Sequence, residues 1–119
     1  MLPALRDFAL PAGSSSNAPC LVLVSAGFDG ARGDEGCCRD EVTGLDLTPD
    51  DFAWATAQIR AVMDAAAVTQ RERAKGKPLR PTGCIVSVLE GGYGEWDDQT
   101  GDYNRSSLAD CCAAHVRAL

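Results

Sequence analysis

Two apolar runs, each ending in a glycine-bearing bend, constrain this chain more than any other feature. They are "LVLVSAGFDG" at 21–30 and "IVSVLEGGYG" at 85–94. Neither run alternates apolar with polar residues. That is the habit of a strand covered on both faces, as in parallel sheets. Small residues after each run let the backbone turn sharply and approach a ligand. One acid, Asp29, and one phenol, Tyr93, stand at the two bends.

The segments around the runs set their order. "PALRDFAL" at 3–10 reads as a short helix with Pro3 in its first turn. "PAGSSSNAP" at 11–19 is a linker. Residues 30–47 form a long loop rich in glycine and aspartate. The strongest helix signal begins at Thr48, a good N-cap, followed by Pro49, Asp50 and Asp51. Phe52, Ala55, Ile59, Val62, Met63 and Ala66 recur at helical spacing and predict one apolar face. Arg71, Arg73 and Lys75 crowd its C-terminal end, and Gly76 stops it. A loop over 76–83 leads into a strand over 84–90, and 91–104 reads as a second loop. Ser106 or Ser107 caps a final helix with Leu108, Cys111, Cys112, His115, Val116 and Leu119 on one face.

Helix, strand, helix, strand, helix is the pattern of an α/β chain with a parallel sheet. Two core strands are few for a sheet buried on both faces, so the chain reads as part of a larger α/β sheet. Its 119 residues, 45% of them hydrophobic, suffice for one small domain.

Composition narrows the function classes. A net charge of −6 opposes an electrostatic grip on nucleic acid or anionic lipid and leaves cationic substrates open. No apolar run approaches the roughly 18 residues of a membrane helix. The N-terminus has no basic n-region, so a signal peptide is not expected. The six cysteines are Cys20, Cys37, Cys38, Cys84, Cys111 and Cys112. Without a secretory signal they read as reduced thiols of an intracellular protein.

Ligands of open parallel sheets bind beyond the carboxyl ends of the strands, where Asp29 and Tyr93 fall. If the strands are neighbours, both residues face one site. A carboxylate there is open to several readings: metal ligand, general base, or the cap of an Asx turn. A phenol is either a donor to a developing oxyanion or an interfacial aromatic.

Read together, "LVLVSAGFDG", "GLDLTPDDFAWAT" and "IVSVLEGGYG" resemble the C-terminal part of the histone deacetylase and acetylpolyamine amidohydrolase superfamily, in its class II and bacterial-type branch. "PALRDF" and "AAHVRAL" are similar to family segments as well. The resemblance spans nearly the whole chain, as a partial domain over 1–119. It implies the C-terminal portion of a three-layer, parallel-sheet arginase/deacetylase-like fold. It implies zinc-dependent hydrolysis of an acetylated lysine peptide or an acetylated polyamine. Asp29 inherits the role of one of three zinc ligands. Tyr93 inherits that of the hydroxyl donor to the scissile carbonyl, and Gly92 with Tyr93 that of substrate contacts. The reduced-thiol reading gives an intracellular place and leaves nuclear and cytoplasmic both open. The resemblance implies no direct nucleic-acid or membrane binding.

The chain departs from the family pattern. The paired histidines and the Asp-x-His segment lie N-terminal to "PALR" in the family, so the zinc site is incomplete and the missing N-terminal part is an expected partner. His115 is the one histidine; its place on an apolar stripe suits a satisfied core residue better than a ligand. Cys37 and Cys38 suit a loop or packing role better than metal binding. Gly30 replaces a family alanine. "SSSNAPC" and "RERAKGKPLRP" lengthen connections, the second reading as a solvated basic helix end. "GEWDDQTGDYNR" delays the last helix, and its acids are expected to line the mouth of the pocket and draw in cationic substrates. The alternative function is a non-catalytic remnant or interaction module of the same fold. A generic nucleotide-binding domain is more remote, since the chain lacks G-x-G-x-x-G.

Overall fold

The computed structural model describes residues 2–10, 19, 21–37, 45–74 and 83–119. The linker at 11–18, Cys20, Cys38, Lys75, Gly76 and most of the 76–83 loop lie outside the described residues. The element order is α1 (Leu2–Ala9), β1 (Leu21–Ala26), α2 (Pro49–Ala74), β2 (Cys84–Leu89), β3 (Glu95–Asp97), β4 (Asp102–Asn104) and α3 (Ser106–Ala118). β1 and β2 pair in parallel and β3 pairs with β4, so the described residues form a small α/β arrangement of three helices, a two-stranded parallel sheet and a second two-stranded sheet.

The start of α2 follows from its sequence. The Thr48 carbonyl accepts the first helical bonds, from Asp51 N–H at 3.0 Å and Phe52 N–H at 3.3 Å. The Asp51 carboxylate accepts both the Thr48 backbone N–H, at 2.8 Å, and the Thr48 hydroxyl, at 2.6 Å. These bonds, the hydroxyl's first, hold the Asp51 carboxyl below the ordinary carboxylate value. Asp51, the third helical residue, thus takes up the Thr48 N–H, while the Thr48 hydroxyl donates to its carboxylate and, among the described residues, caps no helical N–H.

Three expectations are corrected. First, the strands are not covered on both faces. Val22, Val24 and Ala26 are half-buried while Leu21, Leu23 and Ser25 are exposed; Ile85 and Ser87 are half-buried while Cys84, Val86 and Val88 are exposed. One strand–helix–strand connection supplies a helix to one face only. Second, the loop after Tyr93 contains a hairpin. Trp96 pairs with Tyr103 across β3 and β4, and their rings meet edge-on with centroids 5.0 Å apart. The turn closes through Gly101 N–H to Asp97 O at 2.9 Å and Gln99 N–H to the Asp97 carboxylate at 2.8 Å. Third, neither Ser106 nor Ser107 caps α3. Arg105 is the N-cap and makes no side-chain cap bond, the Asn104 side chain accepts Ser106 N–H at 3.1 Å, and the Ser107 hydroxyl donates to Arg32 O at 3.2 Å.

The chain divides into two compact units. The first, Met1–Val24 with Ala57–Val86, buries Ala9, Met63 and Ala66. Met63 and Ala66 come from the apolar stripe of α2, one turn apart. The second, Ser25–Thr56 with Ser87–Leu119, centres on Phe28, Ala31 and Cys111, with Ala26, Phe52, Leu108 and Cys112 packed around them. Its α3 buries Cys111 and His115 as the spacing predicts, although Val116 of that stripe is exposed.

Candidate functional site

The second unit carries both bends. Phe28, 1% exposed, anchors the first. Its ring lies 4.9 Å from that of Phe52 and meets His115 edge-on at 5.6 Å, and its N–H donates to Gly91 O at 3.3 Å. That bond and Glu90 N–H to Ala26 O at 2.8 Å carry the parallel pairing just past the strand ends. Burying Phe28 leaves its neighbour Asp29 on the exposed side.

Tyr93 also stands exposed, at 55%. Before it, Gly92 has φ +107, where side chains are strained, and a methyl there would lie 2.6 Å from Leu108 Cδ1 and 3.0 Å from Phe28 Cβ. The second bend therefore packs on the core directly against the first.

Gly36 brings Asp29 and Tyr93 together. A methyl at position 36 would lie 2.7 Å from Asp29 Cβ and 3.2 Å from Tyr93 Cδ2. The two side chains thus flank one glycine, beyond the same ends of two paired strands. The neighbouring placement of Asp29 and Tyr93 expected from sequence is present, and Gly92 packs on Leu108 and Phe28.

Sequence reasoning missed Asp34. This residue is 4% exposed, and its carboxylate accepts three backbone N–H groups: Gly36 at 2.8 Å, Tyr93 at 2.7 Å and Gly94 at 2.7 Å. A buried carboxylate needs such partners. The Gly36 bond is an Asx turn, which an acid two residues before a glycine permits but does not announce. The bonds to Tyr93 and Gly94 span 59 and 60 residues, and nothing local announces them.

His115 behaves as a core residue. It is 4% exposed, with Nδ1 2.6 Å from Thr56 Oγ1 and Nε2 2.8 Å from Ser87 Oγ. The Thr56 hydroxyl donates to Phe52 O at 2.7 Å, so it accepts from Nδ1–H. Ser87 then donates to Nε2, which fixes the neutral tautomer. Burial lowers the His115 pKa, in keeping with a neutral ring.

The described cysteines, Cys37, Cys84, Cys111 and Cys112, are free thiols. Cys37 Sγ lies 3.2 Å from Leu45 N–H. Burial raises the Cys111 and Cys112 thiols above their ordinary value. Among the described residues no three His, Cys, Asp or Glu side chains are grouped to hold a metal ion. Asp29 offers a single carboxylate, so these residues do not by themselves fit a zinc ion, which takes three or four protein ligands. Nor is any helix among them long and apolar enough to cross a membrane.

No protein-family model matches the chain. Over 101 residues it is 33% identical to Type-2 histone deacetylase 2 of Dictyostelium discoideum. The matched stretch is 85% of this chain and 4% of that protein. The chain thus spans a small part of the length of the curated relative it matches.

Proposed function

We propose that this chain is the C-terminal segment of a zinc-dependent deacetylase domain acting on acetylated lysine peptides or acetylated polyamines. In this reading Asp29 is one ligand of a metal whose remaining ligands come from polypeptide outside these 119 residues, as does a histidine base. When bound, zinc supplies Lewis-acid polarisation in the family that the chain resembles. The segment completes a larger three-layer sheet, whose further elements would cover the exposed face of β1 and β2.

Tyr93 is the residue of this chain with chemistry of its own. Its exposed phenol donates a hydrogen bond to the carbonyl oxygen of the acetyl amide as negative charge develops there. The glycines around it keep the backbone slim, so that an acyl group can approach.

The observation that carries the reading is the flanking of Gly36 by Asp29 and Tyr93, the two residues that match the family motifs. The similarity to a type-2 histone deacetylase supports it. A non-catalytic module of the same origin is the second reading, favoured by the lack of a grouped ligand set among the described residues. Sequencing the complete transcript separates the two. An in-frame upstream region encoding a histidine pair and an Asp-x-His segment is expected; its absence would favour the module.

A further inference from the structure

We infer that Asp34 and Gly36 are positioning residues that set where the Tyr93 side chain stands relative to Asp29. The inference rests on the deacetylase reading for its catalytic meaning and on geometry for its substance. Asp34 occupies the interior of the second unit at 4% exposure, and among the described residues its carboxylate bonds backbone N–H groups and no cation. One oxygen holds Gly36 N–H, and the other holds the N–H groups of both Tyr93 and Gly94.

Two consecutive N–H groups converging on one oxygen fix the peptide planes on both sides of Tyr93 Cα. Once those planes are fixed, the Cα–Cβ vector of Tyr93 is fixed too. The same carboxylate holds Gly36, the residue against which both the Tyr93 ring and Asp29 Cβ rest. A third link joins the two loops, Glu35 N–H to Gly94 O at 3.0 Å. The turn at 33–36 thus acts as a gauge block: Asp34 clamps the Tyr93 backbone, and Gly36 sets the gap between the two side chains. Charge-assisted bonds of this kind are about twice as strong as neutral ones. Asparagine offers one neutral acceptor oxygen, so it cannot hold Gly36 and the Tyr93–Gly94 pair together, and the bonds it keeps lose their charge assistance.

The test uses the whole chain, with 3-fluorotyrosine in place of its two tyrosines. In the wild type, through-hydrogen-bond couplings should connect the Tyr93 and Gly94 amide nitrogens with the Asp34 side-chain carboxyl carbon. In Asp34→Asn, amide exchange at Tyr93 and Gly94 should accelerate about 10-fold or more, while α3 and the β1–β2 amides keep their rates within about twofold. The fluorine signal of Tyr93 should shift and broaden in Asp34→Asn and in Gly36→Ala, with that of Tyr103 unmoved as the internal control. Absent couplings, unchanged Tyr93 exchange and fluorine signals, or a loss of protection spread evenly over the unit would overturn the inference. If Asp34→Asn does not fold, the wild-type couplings and Gly36→Ala decide. None of these measurements needs metal or turnover, so they stand or fall separately from the deacetylase reading.

Discussion

The carboxylate of Asp34 accepts the backbone N–H of Tyr93 at 2.7 Å, joining residues 59 positions apart. That bond ties the loop after the first strand to the loop after the second. It makes the two bends one structural feature, so changes in either should be felt at both.

Gly92 tests how tightly the second bend is seated. Gly92→Ala places a side chain at φ +107 and drives it into Leu108 and Phe28. Leu108 can rotate away, but Phe28 is locked in the core. A loss of about 1–3 kcal/mol is expected, read as a lower urea midpoint with an unchanged slope. An unaltered midpoint would show that the bend sits free of the core.

Stability should fall as the solution is acidified through the histidine range. Burial holds the folded-state His115 below its ordinary value of 6.5, so the unfolded chain takes up the proton first. The stabilisation from a neutral His115 is fully present above 6.5. It is lost as pH falls through the folded-state value. The chain has one histidine, so the slope can be assigned. The urea midpoint should drop as pH falls below 6.5, and His115→Gln should flatten that dependence. An equal slope in the variant would place its source elsewhere.

Thiol labelling should follow burial. Cys84 is exposed, whereas Cys111 is fully buried and its thiol is raised above the ordinary value, first by desolvation. Only the thiolate reacts. Brief maleimide treatment of the native chain, mapped by mass spectrometry, should modify Cys84 well before Cys111. The opposite order would contradict the packing of α3.

The acidic hairpin offers a test of the substrate class. Glu95, Asp98 and Asp102 are exposed, whereas Asp97 holds the turn together. In the full-length polypeptide, neutralising the first three should raise KM for basic acetylated peptides more than for neutral ones. The gap should shrink at high salt, since encounter between exposed charges is screened. An equal effect on both peptides would detach the hairpin from substrate.

The sequence carried much of this arrangement because most of it is locally encoded. Thr48, Pro49 and the following acids predict the start of α2, and the spacing of Cys111 and His115 predicts the buried side of α3. The two apolar runs and their small-residue bends predict where Asp29 and Tyr93 would stand. The unalternating runs misled about burial, because a run of Leu and Val records what a strand is suited to meet, and one helix connection meets only half of it. The hairpin was hidden by its own chemistry. Acids and glycine suit a loop, and only the cross-strand meeting of Trp96 with Tyr103 turns that loop into strands. Asp34 and Gly36 were invisible for a related reason. Their partners lie far along the chain, and a glycine's neighbours cannot be read from its type.

The central claim is that Tyr93 donates to the carbonyl oxygen of an acetylated amine in a site completed by Asp29. Steady-state hydrolysis of an acetyl-lysine peptide by the full-length polypeptide, wild type against Tyr93→Phe, tests it most directly, with bound zinc measured in both. The account predicts a fall in kcat of about 100- to 1000-fold at unchanged zinc content. Equal kcat in the two proteins would contradict it.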